Sequence, residues 1–224
     1  MIKKNLFIVF LFSFVIVTAQ EEKDSLKSPY LEDQLYLSLT YNILTNKPSE
    51  LSENGFSGGL SFGFIKDVPF NIEGKFGLGL GLGYGYNVFI QNLKISKNNF
   101  DTTFELASDY KSNSLRLHSI DIPFELRWRN STLEKYKFFR VYAGIKASYL
   151  FISESVYKDD LESIKVKKIS EINKFQYGLT LSAGYSTWNL FIYYGLNPIF
   201  KEGNVSDEPL DLKDFKIGVI FYIM

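Results

Sequence analysis

Apolar residues alternate with small or polar residues over most of this chain, and this period of two restricts the folds that it can adopt. In the stretch 76–86, Phe, Leu and Tyr at even positions alternate with Gly at every odd position. Successive side chains of a β-strand point to opposite faces, so such stretches predict strands with one apolar face. Eight stretches of this kind lie between residues 35 and 223. The pattern therefore predicts an all-β protein.

The connections between the predicted strands alternate between long and short. They are 45–54, 66–72, 90–113, 129–137, 153–172, 188–189 and 199–213. Long loops at one end and short turns at the other are typical of outer-membrane barrels, in which both termini lie in the periplasm. An even number of strands also closes the sheet without edges. The sequence predicts an eight-stranded antiparallel up-and-down transmembrane β-barrel, with a soluble β-sandwich as the alternative.

The first 19 residues have the features of a secretory signal peptide. Lys3 and Lys4 precede an apolar run, and the small residues Thr18 and Ala19 come before a predicted cleavage site at Gln20. Residues 20–34 are charged and unpatterned, which predicts a periplasmic lead-in. We expect the barrel to span 35–224 and to lie in the bacterial outer membrane, in contact with its lipid and lipopolysaccharide.

Charged residues occupy the face of the predicted strands that should line the lumen. These are Lys75, Asp121, Glu125, Arg127, Arg140, Lys146, Lys174 and Lys216. Side chains can fill a barrel of eight strands, and opposite charges inside it should pair because an unpaired buried charge is costly. The glycines of 76–86 leave room for long side chains reaching across. We expect a plugged barrel and not a solute channel.

A second role is open for part of this charged set. Arg127, Arg129 and Arg140 lie near the predicted periplasmic rim, where they could contact a protein partner, as could the long loops 90–113 and 153–172. The candidates for either a lumenal charge network or partner contacts are Asp121, Glu125, Arg127, Arg129, Arg140 and Lys146.

Tryptophan and proline positions give two further predictions about the barrel wall. Trp128 enters one short turn and Trp188 lies in another, which predicts an aromatic girdle at the periplasmic interface. Pro123 lies inside a predicted strand, where it cannot donate to the ladder, so it predicts a bulge or a weakened pairing.

His118 is the only histidine, and Ser119 and Asp121 lie close to it in the sequence. The apolar residues change from odd positions, up to Leu117, to even positions, from Ile120 onward, and this change predicts a bulge nearby. Some outer-membrane barrels are lipid hydrolases that use Ser and His, so catalysis is an alternative. Adjacent strand residues point to opposite faces, however, and this favours a solvated histidine at the base of a loop.

Composition argues against most cofactor chemistry. The chain has no Cys and one His, which disfavours disulfides, zinc, haem and iron–sulfur sites. The run GLGLGLGYG lacks the G-x-G-x-x-G spacing of a nucleotide site, and the loop acids lack EF-hand spacing. Equal numbers of acidic and basic residues, 25 each, give no attraction for nucleic acid. We expect no catalytic residue, cofactor or metal.

Residues 119–151 resemble the PorT-like outer-membrane barrel family of the Bacteroidota. The matching motifs are Ile122-Pro123-Phe124-Glu125-Leu126 and, after a short turn, Val141-Tyr142-Ala143-Gly144. The resemblance implies a non-enzymatic role in type IX protein secretion, and in gliding motility in gliding species, through other secretion-system proteins. The alternative is a structural or adhesive small barrel with surface-exposed binding loops.

Overall fold

The computed structural model describes residues 33–70, 74–98, 101–130 and 138–223. These residues form thirteen strands: β1 (Gln34–Thr45), β2 (Gly58–Pro69), β3 (Phe76–Ile90), β4 (Leu93–Asn98), β5 (Asp101–Leu106), β6 (Ser112–Arg129), β7 (Phe139–Lys158), β8 (Ser163–Lys167), β9 (Phe175–Tyr185), β10 (Trp188–Gly195), β11 (Asn204–Val205), β12 (Glu208–Pro209) and β13 (Lys213–Ile223). No helix in these ranges is long and apolar enough to cross a membrane. The predicted signal peptide lies outside the described residues.

Eight of the strands close into an antiparallel barrel. The order around the barrel is β1, β2, β3, β6, β7, β9, β10 and β13, and β13 pairs with β1 from Leu35↔Ile223 to Thr45↔Lys213. Each barrel strand pairs with the barrel strand that comes next in the chain, apart from the closing pair β13–β1, which is the up-and-down arrangement. The predicted fold class is confirmed, and β1 begins one residue before the expected boundary.

The two faces of the wall differ as the alternation predicts. In β1, Leu35 and Leu39 are exposed on the outside, whereas Tyr36, Ser38 and Asn42 are buried in the lumen. Every barrel strand carries exposed large apolar side chains on its outer face. A soluble sandwich would bury such residues, so this continuous apolar belt is explained by contact with lipid.

The predicted irregularity near residue 118 exists, but it lies on the neighbouring strand. Along β6, odd-numbered residues stay buried from Asn113 to Arg129 without a change of parity. The register shifts because His118 pairs with Ile152 and Ser119 with Leu150, so the extra residue is Phe151 of β7. The bulge was predicted on β6, and that location was wrong. Leu115 and Leu117 point inward like the other odd-numbered residues of β6, and they are apolar because the lumen is apolar at that level.

The long connections contain their own secondary structure. Strands β4 and β5 form a hairpin, β8 pairs with the outer part of β7, and β11 pairs with β12. At the opposite end of the barrel, the turn between β9 and β10 is 186–187, with Ser186 at a positive φ of 57°. Trp188 is therefore the first residue of β10 and not part of the turn.

Candidate functional site

The half of the lumen nearer the short turns is filled by a buried ion-pair network centred on Arg127. Its Nη1 donates to Asp67 Oδ1 at 3.0 Å, its Nε to Glu125 Oε2 at 3.1 Å and its Nη2 to Gln34 Oε1 at 3.2 Å. The guanidinium also stacks on the Tyr142 ring, 4.7 Å from its centroid. Residues of four strands, β1, β2, β6 and β7, therefore meet at one side chain.

Asp67 joins this arginine to a second one. Arg129 Nη2 donates to Asp67 Oδ2 at 2.6 Å, and Arg129 Nε donates to the carbonyl oxygen of Gly74 at 2.6 Å. Asp67, Arg127 and Arg129 are each no more than 2% exposed. Charged hydrogen bonds of this length are among the strongest in proteins, and removing one partner would leave a buried charge without compensation.

The glycines of β3 make room for these long side chains. A Cβ at Gly79 would lie 2.8 Å from Arg127 Cζ, and one at Gly85 would lie 2.6 Å from Ser119 Oγ. Larger residues on this stripe would displace the polar side chains opposite. At Gly79 and Gly85, therefore, the absence of a side chain leaves the room for long lumenal side chains that the sequence predicted.

A second polar cluster lies at mid-height. Lys146 Nζ is 3.5 Å from Asp121 Oδ2, and Lys216 Nζ is 3.0 Å from Asp214 Oδ2. Both ammonium groups also contact the face of the Tyr193 ring, at 4.6 and 5.1 Å. Cavities between these side chains measure about 20, 20 and 10 Å³, each room for about one water molecule.

Arg140 is 1% exposed and makes no ion pair within the described ranges. Its guanidinium instead lies against three rings, 4.6 Å from the centroid of Phe138, 5.5 Å from that of Tyr222 and 5.8 Å from that of Tyr142. Cation–π contacts of this kind are worth ~2 kcal/mol when desolvated. They compensate part of the cost of burying this charge.

The candidate residues thus lie in the lumen and not on an exposed rim. The structure buries Asp121, Glu125, Arg127, Arg129, Arg140 and Lys146. The expectation that the three arginines are accessible to a partner near the rim does not hold. Lys174 is a second correction, because it is exposed just before β9 instead of lining the lumen.

The other half of the lumen is filled by apolar side chains, which we call the loop core. It comprises Leu44, Leu51, Phe89, Leu93, Ile95, Leu115, Leu117, Leu150, Val166, Ile169, Ile172, Ile199, Phe200, Val205, Leu210 and Leu212. Inward residues of the strands and residues from all four long loops contribute to it. This core was not predicted from the sequence, although the alternation of apolar residues in 93–97 and 164–166 was a signal for it.

The outermost part of the loop region is held by polar contacts. Asp159 Oδ1 accepts from the backbone N–H groups of Leu161 and Glu162, both at 2.7 Å, and Oδ2 accepts from the Tyr157 hydroxyl at 3.0 Å. The N–H groups of Glu162 and Leu161 hold the pKa of the Asp159 carboxyl below its ordinary value. A salt bridge of 2.6 Å to Glu162 raises the pKa of Lys94.

His118 does not form a catalytic arrangement with its neighbours. Its Nδ1 is 2.6 Å from the Tyr84 hydroxyl, and its ring lies among Tyr84, Tyr86 and Phe151 on the outer wall. Ser119 is buried on the lumenal side, where its hydroxyl donates to Asp121 at 2.7 Å. The serine and the histidine therefore lie on opposite faces of β6.

Within the described ranges, no His, Cys, Asp or Glu cluster is arranged to hold a metal ion.

The remaining candidates lie in the barrel wall. Trp128 ends β6 and Trp188 begins β10, both exposed at the short-turn end. Pro123 pairs with Lys146 of β7, but on its other side the β3 ladder is interrupted between Leu80↔Phe124 and Gly83↔Asp121.

A closed barrel with an apolar outer belt and a filled lumen defines an integral outer-membrane β-barrel protein. The chain belongs to the family of outer membrane protein beta-barrel domains, whose model matches residues 18–201. This match is to the general family and does not show the narrower PorT-like assignment. A comparison with curated proteins finds no match.

Two similar solved structures are of Ail, the attachment invasion locus protein of Yersinia pestis. One, in complex with the heparin analogue sucrose octasulfate, has a TM-score of 0.39 and 9% sequence identity, and covers 86% of this chain and 99% of that chain. The other has a TM-score of 0.35 and 8% identity, and covers 85% of this chain and 97% of that chain.

Proposed function

We propose that this protein is a non-enzymatic, closed membrane anchor that acts through protein partners at its two ends. The observation that carries this proposal is the filled lumen. Buried charged side chains, most of them paired, occupy one half and the loop core occupies the other, and each cavity of the mid-height cluster has room for about one water molecule. A solute has no route through such a barrel, so transport by diffusion is disfavoured.

We further propose that the long loops face the outside of the cell and that both termini lie in the periplasm. Short turns on the periplasmic side and long loops outside are the usual arrangement in bacterial outer-membrane barrels. Trp128 and Trp188 would then belong to the periplasmic girdle. Protease added to intact cells should cleave within 159–174 and leave the turn 186–187 uncut.

The partners that we propose are components of the type IX secretion system, and of the gliding machinery in gliding species. The support for this assignment is the resemblance of residues 119–151 to the PorT-like family. The test is a clean deletion in the native organism, followed by a census of secreted and surface proteins and a measurement of colony spreading. Accumulation of type IX cargo in the periplasm is expected, and an unchanged secretome would refute the assignment.

The second candidate function is adhesion through the long loops, and one observation favours it. Asp159 fixes a turn that presents Leu161 with 96% of its side chain exposed, on loops that share one packed core. Substitution of Leu161 by Ser should then reduce surface attachment without changing secretion. Near-zero conductance in planar bilayers is expected under both proposals, and stable channels would refute both.

A further inference from the structure

A cleft of about 340 Å³ opens on the barrel wall at the bulge of β7. Strand β7 pairs with β9 as far as Tyr149↔Phe175 and with β8 from Glu154↔Lys167 onward. Between these two ladders the chain 168–174 leaves the sheet, and the cleft lies in that gap. Its volume is in the range of small-molecule sites, which is ~300–1,000 Å³.

The cleft combines an apolar floor with a cationic rim. Leu150, Ile169 and Ile172, which belong to the loop core, form the buried part, and Phe151 lines it from the outer wall. Lys168 and Lys174 are on the rim, together with Ser153 and Ser170. The floor is fixed by the backbone, since Leu150 N donates to Lys174 O at 2.8 Å and Lys168 N donates to Ser153 O at 2.9 Å.

The two rim lysines differ from the other lysines at this edge of the barrel. Lys165 and Lys167 both pair with Glu154, at 3.0 and 3.8 Å. Lys168 and Lys174 have no carboxylate within salt-bridge distance in the described part of the chain, where the adjacent Glu171 accepts from the Ser170 hydroxyl at 2.9 Å. Two uncompensated cations thus face the same cleft, and an anion would complement them.

The height of the cleft on the barrel indicates where that anion comes from. Just below it, Tyr149 and Phe175 are exposed on the apolar belt with ring centroids 5.2 Å apart. Just above it, the outer surface carries Glu154, Lys165 and Lys167. Aromatic residues followed by charges mark the interface at which lipid headgroups lie.

We infer that this cleft is a binding site for a phosphorylated membrane lipid. The headgroup phosphate binds Lys168 and Lys174, and an acyl chain lies against Phe151 and the apolar wall below. The bulge creates this surface, because it turns Phe151 and Ile152 outward together, with 46% and 43% exposed.

The test compares two double variants with the same loss of charge. Lys168→Gln/Lys174→Gln removes the rim cations, whereas Lys165→Gln/Lys167→Gln removes the paired lysines of β8. Each protein is purified in detergent, checked for its folded mobility on an unboiled gel, and titrated with lipid A. We expect the rim variant to bind lipid A roughly 30-fold more weakly, the scale of two lysines at an anionic surface. The control should stay within about threefold of the wild type.

Two further probes separate the lipid from a free ion. Lipid A from which both phosphates have been removed should bind the wild type no better than intact lipid A binds the rim variant. Inorganic phosphate should not compete at equal concentration. The proposal is overturned if the wild type does not bind lipid A, if the control variant loses as much affinity, if the phosphate-free lipid binds equally well, or if inorganic phosphate binds as tightly.

Discussion

Replacement of Asp67 by Asn tests whether the buried network stabilises the barrel. The substitution keeps the shape of the side chain but removes the charge between Arg127 Nη1, at 3.0 Å, and Arg129 Nη2, at 2.6 Å. At an effective dielectric constant of about 20, unit charges about 4 Å apart attract by roughly 4 kcal/mol, and Asp67 has two such partners. The amide oxygen still accepts one hydrogen bond, so part of this energy is retained. We expect the free energy of unfolding to fall by about 3–5 kcal/mol.

The measurement is a urea titration of the protein folded in phospholipid vesicles, followed by tryptophan fluorescence and gel mobility before and after boiling. Asp160→Asn is the control, because Asp160 pairs with Lys111 on the exposed loops and its loss should cost less than about 1 kcal/mol. Adding Arg129→Gln to Asp67→Asn should cost less than the sum of the single changes, since it removes one of the uncompensated charges. Equal midpoints for Asp67→Asn and Asp160→Asn would refute the argument.

Three more predictions address the loop core, the glycine stripe and the Asp159 turn. Leu117→Ala should lower the free energy of unfolding by about 2–5 kcal/mol and increase protease cleavage of the long loops, because it opens a cavity in their shared core; unchanged cleavage would contradict this. Gly79→Ala should lower the urea midpoint, since its Cβ would lie 2.8 Å from Arg127 Cζ, and an unchanged midpoint would show that Arg127 moves aside freely. The contribution of the Asp159 turn should be complete above the ordinary aspartate pKa of about 3.9 and should be lost as the pH falls toward the lower folded pKa. The protection of the Leu161 and Glu162 amides from hydrogen exchange, relative to intrinsic rates, should therefore be the same at pH 7 and pH 5 and should be lost below pH 4. In Asp159→Asn these two amides should already lack protection at pH 7.

The eight strands could be predicted because the physics behind them is local. A residue that faces lipid must be apolar, and the residues before and after it in the strand face the lumen. The sequences of β1 and β3 therefore show the period of two directly. The pairing of buried charges could also be expected, since few alternatives exist in a narrow lumen. Which acid pairs with which base could not be predicted. Asp67 lies at the end of β2, in a segment that reads as a turn, and only the shear of the barrel brings it to Arg127 and Arg129.

The bulge and the loop core were misjudged for a related reason. A parity change in β6 was attributed to an extra residue, on the assumption that the inward face stays polar along its whole length. The inward face of β6 instead becomes apolar at Leu117. The true extra residue is Phe151 of β7, and because the residues before and after it, Leu150 and Ile152, are also apolar, the sequence of β7 does not reveal the shift. Sequence alternation reports the contrast between two faces and cannot reveal that the lumen itself changes from polar to apolar.

The loop core also constrains how this surface can change over evolutionary time. Leu51, Val166 and Phe200 come from three different connections but are buried in the same cluster, so no long loop can be exchanged alone without leaving a cavity or a clash in the others. Sequence drift in these loops is therefore confined to the outward residues, such as those around Leu161, or must proceed by compensating changes in several loops at once. Related chains should accordingly differ at single exposed positions of these loops while inheriting their apolar positions together as one set.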